Sequence, residues 1–255
     1  EAYERRRKLR EIELLQGDER TTFRRRDKNG VSLLTTAVQR PGTQPQIEES
    51  RFVRVSVDFS MEKVPDEKRL DISTSSVVLA FPVDAAGAAA PQAESYVFAF
   101  LPIRQAGFKF SIQADFILSS SREDILTDRP WNRLLREGIA VAFKLAVETF
   151  RKSDALAFSY LKYLPSEGEI SDPFFRPLTD SIVGQLSQTE CLPSEGGQWK
   201  RPCDLRIADQ HFRDLFPPAV AMELFGFDYV DHRVQGGNDL LRRLGAKNIT
   251  FADIF

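Results

Sequence analysis

Hydrophobic and polar positions change period twice between residues 96 and 150. Residues 96–101 (YVFAFL) are an unbroken apolar run of strand length, which predicts a strand covered on both faces. Phe108, Phe110, Ile112, Ala114, Phe116 and Leu118 then alternate with Lys109, Ser111, Gln113 and Asp115, the period of a strand with one buried face. Ser119, Ser120 and Ser121 end it. From Trp131 the period lengthens: Trp131, Leu134, Leu135, Ile139, Ala142, Phe143, Ala146 and Phe150 recur at three- and four-residue steps, with Arg133, Arg136, Glu137, Lys144 and Glu148 mainly on the other side. That spacing predicts a core-facing helix over 131–152. Arg122 falls at the corner between strand and helix.

The same signals order the rest of the chain. Residues 1–15 read as a charged helix with Leu9, Ile12 and Leu15 as a thin apolar stripe, stopped at Gly17. Asn29-Gly30 between 21–26 and 31–38 predicts a hairpin, and 40–50, with Pro41, Gly42 and Pro45, predicts a linker. Val53, Val55, Val57 and Phe59 alternate as a half-buried strand, 61–69 is a polar loop, 76–83 is another strand, and 84–93 is a small-residue loop. Helices are expected at 154–164, from Pro173 to about 187, from Pro217-Pro218 to 225, and at 239–244 and 250–255; 191–202 reads as a loop or hairpin. The expected class is therefore α+β with α/β-like features. A mixed sheet over about 51–118 is packed by a long helix and followed, from 166 to 255, by a mostly helical extension.

Composition narrows the function classes. With 42% hydrophobic residues and 20 Phe the chain fills a large core, and a net charge of −2 is not that of a basic nucleic-acid binder. Arg5-Arg6-Arg7-Lys8 and Arg24-Arg25-Arg26 are interleaved with acidic residues and read as solvated faces. No apolar stretch reaches membrane-spanning length, the start is no signal peptide, and two cysteines make no disulfide framework, so an intracellular location, cytoplasmic or nuclear, is expected. The chain opens without an initiator Met, so a piece of a longer protein is expected. Nucleotide-binding loop patterns and the G-x-S-x-G elbow are absent. Cys191, Cys203, His211 and His232 fit no zinc spacing, so no metal site is expected.

Arg122 has two readings on its own residues. In one it is a helix-start residue, with Ser120 or Ser121 as cap, Glu123 or Asp124 closing the capping box, and its charge matched by a nearby carboxylate. In the other it points outward to an anion, a role suited to a planar guanidinium that never deprotonates.

The run from Phe98 through Glu123 (FAFLPIRQAGFKFSIQADFILSSSRE), followed by Pro130-Trp131-Asn132, resembles the segment after the ATPase domain in NO VEIN and sacsin-type proteins. The ATP site of those proteins is similar to that of the ninety-kilodalton heat-shock (GHKL) chaperones. Weaker similarity reaches 9–12, 191–192, 199–203 and 240–244, and so most of the chain. The resemblance implies a chaperone-like middle domain over 51–165. Residues 1–50 would then be the trailing edge of a nucleotide-binding domain, or a connecting helix and hairpin. It implies that Arg122, supported by Ser121 and Glu123, reaches the γ-phosphate of ATP held by an upstream domain. The chaperones carry a Gln four residues later, where this chain has Leu126. The Asn-bearing helix, Asp-x-Gly-x-Gly segment and Gly-rich lid are not in this sequence. ATP and Mg are thus expected only with the upstream domain, which is the implied partner, and the fragment alone is not an enzyme. A different class of reading is a non-enzymatic interaction or scaffold module that binds a client or partner protein.

Overall fold

The computed structural model describes residues 10–28, 30–93, 95–166 and 168–250. The fold is α+β, built on an eight-stranded mixed sheet in the order β1-β2-β3-β4-β5-β8-β6-β7. β1 (Glu11–Gln16), β2 (Glu19–Lys28), β3 (Val31–Gln39), β4 (Gln46–Ser60) and β5 (Thr74–Val83) form an antiparallel meander. β6 (Tyr96–Ala99) and β7 (Leu101–Gln105) are an antiparallel pair, and β8 (Ser111–Ala114) slots between β5 and β6, antiparallel to one and parallel to the other.

The long helix α1 (Pro130–Phe150) lies across one sheet face, with Trp131, Leu135, Ile139, Phe143 and Phe150 fully buried. Phe81 at the centre of the core touches the rings of Phe110, Phe143, Phe150 and Tyr163 at centroid distances of 4.9–5.5 Å. The chain continues through α2 (Asp154–Ala157), a 3-10 turn at Tyr160–Tyr163 and α3 (Leu178–Ser187). A hairpin of β9 (Leu192–Pro193) and β10 (Trp199–Lys200) follows, then β11 (Leu205–Ile207), α4 (Gln210–Leu215), α5 (Pro218–Phe225), β12 (Asp228–Tyr229), α6 (Asn238–Leu244) and β13 (Lys247–Asn248). β11 pairs in parallel with β12 and β13. The main hydrophobic cluster runs without a break from Val53 to Ala246, so α3, the β9–β10 hairpin and α6 pack on the same core as the sheet. A small second cluster joins Ala221, Phe227 and Tyr229. None of the described helices is long and apolar enough to cross a membrane.

The expected hairpin at Gly30, the strands over 53–59 and 76–83, the helix from 131, the 191–202 hairpin and the helices ending at 225 and 244 are all present. Several elements differ. The helix expected over 1–15 is, over its described part, strand β1. Glu11 and Glu13 pair with Arg24 and Arg20 on β2, and Gly17 turns the chain at φ 60. Cross-strand charge pairing outweighed a three-residue apolar spacing. The expected linker over 40–50 is a turn only to about Pro45, because Gln46–Ser50 already belong to the fifteen-residue β4. The sheet therefore begins at Glu11 rather than near 51. The helix expected over 154–164 is two short turns, and that from Pro173 begins at Leu178. The one expected over 250–255 lies almost wholly outside the described residues.

The apolar run at 96–101 is a hairpin, not one strand. It reverses at Phe100, whose φ of 65 is left-handed, and the Phe100 amide donates to Gln113 Oε1 at 2.9 Å. A side chain from β8 supplies the turn chemistry that the run itself lacks, and Phe100 and Leu101 end half or more exposed. In 108–118 the predicted face is buried through Phe116, but only Ser111–Ala114 pair as strand.

Gly107 permits the turn into β8. Its φ is 87, and a Cβ there would sit 2.0 Å from the Glu169 carbonyl oxygen. Gly107→Ala is expected to cost about 3 kcal/mol, from backbone overlap plus left-handed strain, as measured by denaturant unfolding. The two thiols offer a second check on the packing. Cys191 is fully buried, and burial pushes its thiol up to about 12. Cys203 is exposed. At about pH 9 an alkylating reagent is expected to modify the exposed Cys203 alone in the native protein and both cysteines in denaturant, read by mass spectrometry.

Candidate anion-binding cleft

Arg122 sits on a turn rather than at a helix start. Beyond β8 the chain continues to Leu118, which bridges Ile125, and residues 119–124 reverse the chain between them. Ser119 organises the reversal: its amide donates to the Asp124 carbonyl at 2.8 Å, its carbonyl accepts from the Arg122 amide at 3.0 Å, and its Oγ accepts from the Asp124 amide at 3.3 Å. Arg122 itself has a left-handed φ of 63. Helix α1 starts only at Pro130, with Arg129 in the cap position and no side-chain cap. The expected capping box of Ser120 or Ser121 with Glu123 or Asp124 is therefore absent. Pro130 fixes the helix start by its preset φ and missing amide.

The turn is held from below by Asn132, which is fully buried in the first turn of α1. Asn132 Oδ1 accepts from the Ile117 amide at 2.8 Å, while Nδ2 donates to the Ile117 and Leu126 carbonyls, both at 2.8 Å. One side chain thus clamps both arms of the reversal to the helix. Trp131 Nε1 adds a bond to the Asp115 carbonyl at 2.9 Å.

The tip of the turn faces a cleft of about 760 Å³ between three elements: a 3-10 turn bearing Lys68 and Arg69, the Phe100–Ile103 reversal, and the chain from Asp115 to Ser120. Arg69 meets Asp115 in a bidentate pair, Nε and Nη2 each at 2.8 Å, and the hydrogen bond to Asp115 holds the guanidinium above its ordinary pKa. Arg129 is engaged by Asp66 at 3.3 Å and Glu67 at 3.2 Å. Arg104 reaches Asp124 at 2.9 Å and Asp172 at 2.7 Å. Arg122 is exposed and has no ion pair or hydrogen bond from its side chain among the described residues. Of its expected supports, Ser121 places Oγ 3.1 Å from Ser119 Oγ, and Glu123 is exposed without an ion pair among the described residues. The cleft is thus a rigid corner with uncompensated positive charge, suited to a multiply charged oxyanion.

The pattern of the sequence missed Lys68, Asp115 and Asn132 as parts of this site. Asn132 left a readable trace, a polar residue in step with Leu135 and Ile139 on the buried stripe. Lys68 and Asp115 left none, since they meet only through the fold.

Elsewhere, Glu195, Asp231 and His232 bring potential ligand atoms within 4.8 Å of one another, although no sequence spacing pointed to them. Arg213 pairs with Glu195 at 3.3 Å and Arg233 with Asp231 at 2.6 Å. Burial raises the Asp231 carboxyl, and the Arg233 hydrogen bonds outweigh it to leave the group below its ordinary range. With both carboxylates so matched, the trio reads as an internal charge network.

Comparison with known proteins bears on these residues. Across 193 residues, 71% of this chain, the sequence is 33% identical to a protein of Arabidopsis thaliana. That relative is Protein NO VEIN. The chain is NO VEIN-like over most of its length, yet the match spans only 7% of NO VEIN itself. No family model matches the chain. No solved structure matches it either.

Asn132→Ala removes three hydrogen bonds and strands the Ile117 amide, while the Ile117 and Leu126 carbonyls keep only the Leu126 amide at 3.1 Å and the Arg129 amide at 3.4 Å. The expected loss is about 3 kcal/mol in chemical denaturation, and faster amide exchange at Ile117 in the native protein is expected to accompany it.

Proposed function

We propose that this chain is the middle-domain half of a chaperone-like ATPase, whose nucleotide is brought by an upstream domain of the same protein. The observation that carries the reading is Arg122: exposed, unpaired among the described residues, and set on a turn that Asn132 and Ser119 hold rigidly at the mouth of a cationic cleft. A guanidinium preorganised in this way can meet a γ-phosphate bidentately and stabilise charge that develops on it, at little reorganisation cost. Similarity to a segment of NO VEIN supports the placement within a large multidomain protein. ATP and Mg would be held by the upstream domain, and this segment would couple closure over the nucleotide to movement further along the chain.

A second reading, a protein-interaction module without hydrolysis, draws on the sheet face opposite α1. There a groove of about 360 Å³ is floored by Leu34, Phe52, Val78, Ala80 and Phe98. An open sheet face is ordinarily polar.

The two readings separate on one measurement. In a protein carrying this segment together with its nucleotide-binding domain, Arg122→Ala is expected to lower ATP turnover by roughly 10²–10³-fold, the scale of losing one preorganised donor to a transition state. Folding of the variant is checked by its unfolding midpoint. Unchanged turnover in a folded variant removes the ATPase role and leaves the interaction reading.

A further inference from the structure

Lys68 is the other cation at this cleft whose charge nothing opposes. Among the described residues it has no ion pair, and its ammonium reaches only the Leu118 carbonyl, at 3.4 Å. Its neighbours differ. Arg69 is matched by Asp115, and Arg129 by Asp66 and Glu67. Among the described residues the one carboxylate lining the cleft, Asp115, is thereby spent on Arg69. What remains facing the opening is Lys68 from one wall and Arg122 from another.

The wall that carries Lys68 is as firmly placed as the Arg122 turn. Asp66 caps it, accepting from the Lys68 amide at 2.9 Å through Oδ1 and from the Arg69 amide at 2.9 Å through its carbonyl. The bidentate Arg69–Asp115 pair then ties this turn to the strand end that leads into residues 119–124. Two cations are thus carried on two braced stretches of backbone that line one cleft. A phosphate monoester or terminal phosphate carries nearly two negative charges at neutral pH, whereas a carboxylate carries one.

We propose that Lys68 and Arg122 together form a two-cation site for a terminal phosphate, Arg122 binding as a planar fork and Lys68 as a point charge from a different element of the cleft lining. The inference rests on the reading of Arg122 given above and adds a second ligand residue to it.

Inorganic triphosphate serves as probe, titrated at low ionic strength into the full chain and followed by calorimetry. Wild type is expected to bind with an affinity that falls as salt rises. Lys68→Ala and Arg122→Ala are each expected to weaken binding roughly tenfold, the scale of one charge-assisted hydrogen bond, and Lys68→Arg to keep most of it. Lys152→Ala, which removes an exposed charge not lining the cleft, is expected to change nothing. Wild-type affinity in Lys68→Ala alongside loss in Arg122→Ala would overturn the Lys68 assignment and leave Arg122 standing. Loss in Lys68→Ala with none in Arg122→Ala would overturn the paired site together with the Arg122 reading. No binding by wild type, or an equal loss in Lys152→Ala, would overturn the two-cation site, while the Arg122 reading would still stand or fall on the turnover of Arg122→Ala in the protein that carries the nucleotide-binding domain.

Discussion

The buried amide of Asn132 is the constraint on which the cleft depends. A polar side chain with no solvent exposure must satisfy its hydrogen bonds inside the protein. Asn132 does so with the Ile117 amide, which would otherwise be stranded, and with the Ile117 and Leu126 carbonyls, where the chain leaves the sheet after β8. Helix, strand end and turn are thereby made one rigid piece. Arg122 gains its fixed position from that piece, not from a helix cap.

Charge is arranged around the cleft on the same principle. Arg69 and Asp115, Arg129 and Asp66, and Arg104 and Asp172 are partly buried pairs that brace the walls. Paired charges of this kind contribute little net stability, but in good bidentate geometry they specify position. Lys68 and Arg122 stand outside these pairs among the described residues, so two cations line the opening even though the whole chain carries a net charge of −2. The average charge of a chain says little about one corner of it.

The remainder of the molecule supports that corner at a distance. The Phe81-centred cluster joins the sheet to α1 and to Tyr163, and the same cluster extends into α3 and α6. The β1–β3 wing is different. β1 is exposed throughout and β2 and β3 are mostly half-exposed, so that end of the sheet is held by strand pairing and cross-strand ion pairs more than by burial. Apolar side chains on the sheet face away from α1 give a second surface whose chemistry differs from that of the cleft.

Periodicity alone determined the α1 helix, the buried faces of β4, β5 and 108–116, and the hairpin at Gly30, because each depends on residues close in sequence and on one repeating face. Resemblance singled out Arg122. Neither could place it. The sequence reads as a strand passing into a helix at Ser121, and the tertiary structure inserts a turn and eight residues before Pro130. The reversal at Phe100 was equally hidden, because its stabilising acceptor is Gln113 on another strand. The same holds for β1: a stripe spaced for a helix becomes a strand once Arg24 lies opposite Glu11 and Arg20 reaches Glu13 diagonally. In each case a partner distant in sequence satisfies a backbone group or a charge, and such partners are chosen only when the chain closes on itself.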